Sequence, residues 1–177
     1  MNVSPAKRIC FDALMLALLC VLGMFSIPLG ENVKVSLQLL MVFIICLLSP
    51  GVTDCLAITG CYLLLGLFLP IYAGFSAGIT PTFGYVIGFV VCSPVIYFMN
   101  KIPIKISILR MLVACLGGLI LVYFVGTLFL CLYLNLEAGK ALLISVVPYL
   151  PFDGIKIALA IAVTLAMPKS ILQRLQD

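Results

Sequence analysis

The sequence predicts an all-α integral membrane protein with about six transmembrane helices. Two features of its composition carry this prediction: 65% of the 177 residues are hydrophobic, and only 9% are charged. A soluble domain carries ~25% charged residues, so this chain cannot cover a globule of its size with polar groups. The apolar runs lack the alternation of polar and apolar residues that marks a membrane strand, which favours helices. At about 20 residues for each span, the chain has room for about six helices.

The composition also excludes several classes of function. The chain has no His, so it lacks a Ser-His-Asp triad and a His-bearing zinc site. It has no GxxxxGK(S/T) segment to hold ATP phosphates. The net charge of +4 reflects Lys and Arg that flank apolar runs, which argues against a nucleic-acid partner. Eight cysteines lie in or beside apolar runs without a CxxC pair, so we expect free thiols and neither a metal nor a cofactor.

We predict one transmembrane domain over residues 1–177. Its helices lie at about 9–27, 35–48, 54–69, 83–99, 109–134 and 152–167, with an extra short helix at about 138–147. The first apolar run follows Lys7 and Arg8 and has no A-x-A-like cleavage site before a polar domain, so we interpret it as a helix and not as a signal peptide.

Breaker residues and polar turns separate the later helices. The second helix ends at the Ser-Pro-Gly cluster of residues 49–51, and the third ends at Pro70. A basic loop over residues 100–110 separates the fourth helix from the fifth. Pro148 and Pro151 interrupt the last apolar segment, so the short helix is predicted before these prolines and the sixth helix after them.

The distribution of Lys and Arg predicts that both termini are cytoplasmic. In this orientation the outside holds Lys34 and Lys140, and the inside holds seven basic residues: Lys7, Arg8, Lys101, Lys105, Arg110, Lys169 and Arg174. The opposite orientation would invert this ratio. The chain is therefore predicted to be a multi-pass membrane protein, with the lipid bilayer as its surroundings.

Two irregular segments are predicted on the outer side. The second and sixth helices have about 14–16 residues, which is too short to cross ~30 Å of hydrocarbon at 1.5 Å per residue. The loop at residues 69–82 contains two Pro and two Gly, and the break at residues 148–151 contains two Pro. Irregular backbone at membrane depth is tolerated around a water-accessible cavity, so we expect a pocket that opens outward.

Asp153 and Lys156 are the strongest candidates for chemistry. They lie at positions i and i+3 of one helix face, just after Pro151. An ionisable group inside a span costs ~2.5–3.5 kcal/mol and needs a partner or a ligand. The pair is either an intrahelical salt bridge at the membrane edge or a ligand site in which Asp153 accepts N–H bonds and Lys156 binds a carbonyl or a carboxylate.

Three further segments have candidate residues. In the loop at residues 72–78, Tyr72 and Phe75 can form an apolar wall, Ser76 offers a hydroxyl, and the small residues permit close approach of a ligand; the alternative is a tight outer loop. Gln38 can reach either a ligand or a neighbouring helix. Asp54 is interpreted as an N-terminal cap of the third helix.

The first helix carries a small-xxx-small pair at Ala13 and Ala17. Such spacing allows close approach of two helices in lipid. The pair either packs within the monomer or faces a partner helix.

Segments along nearly the whole chain match a known pattern in the same order. Residues 34–38 stand where the pattern has P-I-T-L-Q, and residues 65–70 match its Leu-Gly-x-x-x-Pro. Residues 72–78 and 81–85 correspond to an aromatic-Ala-Gly-Gly loop and its P-T-G-G-F continuation. The most specific match is Leu-Pro-Phe-Asp-Gly-Ile-Lys at 150–156 for L-P-G-D-x-x-K. The chain thus resembles the BioY family, the biotin-specific substrate-binding (S) components of energy-coupling-factor (ECF) transporters.

The resemblance implies a six-helix S component and not an enzyme. Biotin would bind from the outer face, and the signature would place Asp153 and Lys156 in its site. The matched loop segments add Gly74, Gly84 and Tyr85 to the candidates. The implied partners are a membrane coupling (T) subunit and a pair of cytoplasmic ABC ATPases, with the small pair of the first helix as the coupling face.

The chain departs from the family pattern where Phe75 and Phe83 replace loop glycines and where Phe152 replaces the glycine before Asp153. These departures leave room for a related ligand. Two other functions therefore stay open: an S component for another vitamin, such as thiamine or riboflavin, and a small membrane enzyme that uses Asp153 and Lys156.

Overall fold

The computed structural model describes residues 5–28 and 34–167. Within them, seven helices and one short hairpin follow each other along the chain. Their bounds are α1 Pro5–Met24, β1 Ser26–Pro28, β2 Lys34–Ser36, α2 Gln38–Leu48, α3 Val52–Phe68, α4 Phe83–Met99, α5 Ser107–Leu134, α6 Ala138–Ser145 and α7 Leu150–Ala166.

The hairpin corrects the prediction for the first two helices. α1 ends at Met24 and not at residue 27, and α2 begins at Gln38 and not at residue 35. The intervening strands β1 and β2 pair antiparallel, with Ser26 opposite Ser36. Short apolar segments fit a strand and a helix equally well, and only the cross-strand backbone bonds distinguish the two.

α2 forms the centre of the bundle. All but one of its 11 residues are buried, and it contacts α1, α3, α4 and α7. A helix that is apolar on every side is stable only when other helices surround it. At 1.5 Å per residue, α2 is about 16 Å long. This length is sufficient because the surrounding helices, and not the bilayer, bury its surface.

α4 and α5 are the most closely packed pair of helices. A Cβ atom on Gly88 would lie 3.1 Å from the Cα of Val122, so the glycine lets the two backbones approach. In lipid, where apolar surface gives little drive for association, such close backbone contact is a main source of helix attraction.

One helix in the described part of the chain, α5, is by itself long and apolar enough to cross a membrane. α6 and α7 meet the same condition together, with a bend of 52° between them. α5 presents an exposed apolar stripe at four-residue spacing, made of Ile120, Phe124, Leu128 and Leu132. Such a stripe is stable in hydrocarbon and unfavourable in water, which agrees with a membrane protein.

The remaining helices differ from simple spans. α2, α3 and α4 are apolar but have 11, 17 and 17 residues. α1 has 20 residues, and Lys7, Arg8 and Asp12 lie in its first half. The predicted count of six spans and the cytoplasmic position of both termini stay predictions, and the terminal residues 1–4 and 168–177 lie outside the described residues.

Candidate functional site

A cavity of about 750 Å³ opens among α2, α4, α5, α7 and the loop between α3 and α4. Ligand sites in proteins commonly have this size. The residues that line it are Ser36, Gln38, Leu39, Tyr72, Ala73, Ser76, Thr80, Pro81, Thr82, Tyr85, Val86, Phe89, Val122, Tyr123, Leu130, Leu134, Leu136, Ile144, Ser145, Tyr149, Asp153 and Lys156. Its wall is thus mainly apolar or aromatic, with a small number of polar groups.

Asp153 and Lys156 lie in the first two turns of α7. The Lys156 Nζ donates to the Asp153 Oδ1 at 2.6 Å, and the two side chains are only 8% and 4% exposed. Pro151 in the first turn fixes the backbone at the start of the helix, where its missing N–H costs no hydrogen bond. The sequence left a salt bridge and a ligand site as alternatives; the structure contains the salt bridge, the pair also lines the cavity, and the ligand site stays a prediction.

Tyr123 on α5 completes this polar group. Its hydroxyl donates to the Asp153 Oδ2 at 2.5 Å. Both carboxylate oxygens of Asp153 are therefore held, one by Lys156 and the other by Tyr123. Sequence reasoning missed Tyr123. The signal was a tyrosine inside a 28-residue apolar helix, where its hydroxyl needs a partner.

The polar group lies deep in the cavity. Tyr123 is 11 residues before the end of α5 at Leu134, which corresponds to about 16 Å along the helix. α6 runs back along α5, and the hydroxyls of Thr127 and Ser145 are 3.1 Å apart. The eight residues of α6 correspond to about 12 Å, so α7 begins about 12 Å further into the bundle than the end of α5. Asp153 therefore lies level with Tyr123 along α5. Pro81, Thr82 and Leu134 line the cavity and are exposed, so we assign its mouth to residues 80–82 and 134–136.

Gln38 lines the cavity and also contacts a neighbouring helix. Its Nε2 donates to the Tyr62 hydroxyl at 2.5 Å, and that hydroxyl donates to the carbonyl oxygen of Ile71 at 3.0 Å. The Ser36 hydroxyl donates to the Oε1 of Gln38 at 3.3 Å. The two roles left open by the sequence are compatible, since a fixed amide edge remains in the cavity wall.

Tyr72 supplies a wall and not a free hydroxyl. The hydroxyl donates to the carbonyl oxygen of Leu63 at 2.6 Å, and the ring contacts Tyr62 edge to face at 5.6 Å. Burial raises the pKa of Tyr72 to about 12, so this donor keeps its proton at neutral pH. Gly66, from the Leu-Gly-x-x-x-Pro segment, makes room for the ring, because a Cβ there would collide with it.

Ser76 and Tyr85 also line the cavity. The Ser76 hydroxyl donates to the carbonyl oxygen of Ala73 at 3.1 Å. The Tyr85 hydroxyl donates to the carbonyl oxygen of Ser145 at 3.2 Å and joins α4 to α6. Both hydroxyls therefore help to fix the walls of the cavity.

Three candidates from the loops do not line the cavity. Phe75 is 62% exposed and contacts Phe25 edge to face at 6.3 Å, so it forms no cavity wall in this structure. Gly74 has a φ of 72°, and its N–H donates to the carbonyl oxygen of Met24. Gly84 packs against Phe129, where a Cβ would collide. Their part in ligand binding stays a prediction.

The coupling candidates Ala13 and Ala17 lie on an exposed face of α1. Phe11, Met15 and Leu19 form the buried face of the same helix. Among the described residues, the small pair therefore lies away from the face of α1 that is buried against the bundle.

Asp54 corrects another prediction from the sequence. α3 begins at Val52, and its cap position, Gly51, makes no side-chain cap bond. Asp54 lies in the first turn, and the Arg8 Nη2 donates to its two carboxylate oxygens at 2.8 and 2.7 Å. It is an ion-pair partner that joins α1 to α3 and not a cap, because Arg8 approaches from α1 and holds its carboxylate.

The chain matches known proteins along most of its length. The family model described as "BioY family" matches residues 1–173. The chain is 32% identical to the biotin transporter BioY of Thermotoga maritima over 162 residues, which cover 89% of this chain and 94% of the relative. It is 28% identical to the probable biotin transporter BioY of Pyrococcus horikoshii, with the same shares covered.

A solved structure has the same fold. It is the S component for biotin from an ECF-type ABC transporter, with a TM-score of 0.80 and 28% sequence identity. The match covers 93% of this chain and 92% of the other.

Proposed function

Because the chain belongs to the BioY family, we propose that it captures biotin at the outer membrane face and takes part in biotin uptake as the S component of an ECF-type ABC transporter. The observation that carries the proposal is the buried pair of Asp153 and Lys156 in a cavity of about 750 Å³. Biotin uptake is also what the relatives and the matching solved structure are named for.

The cavity suits the chemical groups of biotin. A carboxylate such as Asp153 accepts an N–H bond from the ureido ring, and Lys156 donates to the ureido carbonyl or to the acid tail. The apolar wall at Val86, Phe89 and Val122 suits the thioether ring.

The proposed topology has six spans, with both termini in the cytoplasm of a bacterial cell and the protein in its plasma membrane. The excess of Lys and Arg on the proposed inner side supports this orientation. In it, the cavity mouth at residues 80–82 and 134–136 faces outward, and the pair of Arg8 and Asp54 lies at the inner end of the bundle.

Energy for uptake must come from other subunits. We propose that α1 contacts a membrane T subunit through Ala13 and Ala17, and that two cytoplasmic ABC ATPases act on that subunit. The exposure of both alanines, beside exposed Leu14 and Leu18, supports a helix-binding face.

The alternatives left open by the sequence are less well supported. Members of this family are transporter components and not enzymes. Among the described residues that line the cavity, Asp153 is the single carboxylate, so an acid–base pair of carboxylates is absent there. An S component for thiamine or riboflavin would need a different arrangement, since neither presents the paired N–H groups of a saturated cyclic urea.

Equilibrium binding of labelled biotin to purified protein in detergent or nanodiscs tests the proposal. We expect saturable binding that unlabelled biotin displaces and that excess thiamine or riboflavin leaves unchanged. Displacement by thiamine or riboflavin at concentrations like those of biotin would assign the cavity to another vitamin. Absence of saturable biotin binding by folded protein would contradict the proposal.

A further inference from the structure

We propose that Tyr123 is a positioning residue of the ligand site, whose hydroxyl orients the Asp153 carboxylate toward an N–H donor of the ligand. The proposal rests on the biotin-binding function proposed above. Its basis is the hydrogen bond from the Tyr123 hydroxyl to the Asp153 Oδ2 at 2.5 Å, together with the bond from the Lys156 Nζ to the Oδ1 at 2.6 Å.

The two donors restrict the carboxylate in different ways. Lys156 extends from the same helix as Asp153 on a flexible four-carbon chain, so it moves with α7. Tyr123 comes from α5 and has a rigid ring with two side-chain torsions, so it fixes the carboxylate relative to the opposite wall. An ionised carboxylate oxygen accepts about two hydrogen bonds, which leaves about one acceptor position on each oxygen for a ligand.

The surroundings make this orientation important for binding. The cavity wall near Tyr123 includes Val86, Phe89 and Val122, and a hydrogen bond to a charged group is strong in such an apolar environment. Without the hydroxyl, the carboxylate is free to turn toward Lys156. The ligand must then order the carboxylate again, and this lowers affinity.

A purely structural role for Tyr123 would have different consequences. If the bond only joined α5 to α7, its loss would destabilise the ligand-free protein and would weaken every ligand alike. A positioning role acts through Asp153 and disappears when the carboxylate or the ligand's N–H donor is removed. The distinction is therefore measurable by thermodynamic cycles.

The experiment compares biotin binding to purified wild-type, Tyr123→Phe and Tyr133→Phe proteins. Tyr133 is the matched control, since it lies on the same helix and its exposed hydroxyl contacts the carbonyl oxygen of Ile79 at 3.5 Å, and neither residue lines the cavity. We expect Tyr123→Phe to raise the Kd for biotin about tenfold. We expect Tyr133→Phe to change it by less than about twofold, the usual range for a surface change.

Two cycles then test the route through Asp153. In an Asp153→Ala background, which offers no acceptor to the Tyr123 hydroxyl, adding Tyr123→Phe should change the Kd by less than about twofold. The second cycle uses an analogue of biotin with methylated ureido nitrogens, which cannot donate to Asp153, and its affinity should likewise be insensitive to Tyr123→Phe.

The outcomes separate the two proposals. Wild-type protein that fails to bind biotin would overturn the proposed function. Wild-type binding with an unchanged Kd for Tyr123→Phe would overturn only the role of Tyr123. Equal losses in both Asp153 backgrounds, or for biotin and its methylated analogue, would assign Tyr123 a structural role and refute positioning.

Discussion

Neutralising the buried pair of Asp153 and Lys156 should separate its contribution to stability from its contribution to binding. The two side chains are 4% and 8% exposed, with 2.6 Å between their charged atoms. Removing one partner of such a pair leaves a buried charge without compensation and costs about 3–5 kcal/mol. For a protein of this size, this loss lowers the thermal midpoint by roughly 6–20 °C.

The double variant Asp153→Asn with Lys156→Gln should recover most of this stability. It buries two neutral amides in place of two charges, and the amides can bond to each other and to Tyr123. Biotin affinity should not recover, because the ligand loses its bonds to charged groups, each worth about 1.5–3 kcal/mol or roughly 10- to 150-fold in Kd.

The assay combines thermal unfolding of the ligand-free variants in one detergent with titration of biotin. A double variant that is as unstable as either single variant would refute the argument from charge compensation. A double variant that binds biotin as tightly as the wild type would show that the pair serves stability alone.

Two further predictions concern packing and coupling. Gly66→Ala should destabilise the protein by about 1–3 kcal/mol in thermal unfolding, because the added Cβ displaces the buried ring of Tyr72. Gly60→Ala on the same helix is the control and should be tolerated, because a Cβ there has no neighbour within 4 Å. Equal losses of stability in the two variants would contradict the proposed packing role of Gly66. Ala13→Trp should spare biotin binding but lower biotin uptake and recovery of the T subunit by pull-down, because the indole ring blocks close approach of a partner helix. Leu64→Trp, at an exposed position of α3, is the control. Unchanged uptake and unchanged pull-down in Ala13→Trp would contradict the coupling role of α1.

The parts of the fold that follow local sequence rules could be predicted. α4 covers the same range, 83–99, as the predicted fourth helix, because the loop that contains Pro81 and a basic loop bound an apolar run that stays helical through Ser93 and Pro94. The short helix before the paired prolines is present as α6, because two prolines within four residues disfavour a continuous helix there. The β1–β2 hairpin was missed, because its pairing is a contact between segments and leaves no periodic pattern in three-residue strands.

The sequence was sufficient to predict the charged residues of the candidate site. Asp153 and Lys156 were identified because ionisable groups inside an apolar segment need partners. Tyr123 was missed because its contact with Asp153 exists only when α6 folds back along α5 and places the start of α7 beside the middle of α5. This arrangement is a property of the folded chain. Phe75 looked like a cavity wall in the sequence, but its φ of 57° directs the ring outward to Phe25.

A structure of this protein with bound biotin would be the strongest test of the proposed site. The account predicts biotin in the cavity, with a ureido N–H within hydrogen-bonding distance of the Asp153 carboxylate and Lys156 beside the ureido carbonyl or the acid tail. Biotin bound elsewhere, or bound in the cavity without contact to Asp153 and Lys156, would contradict it.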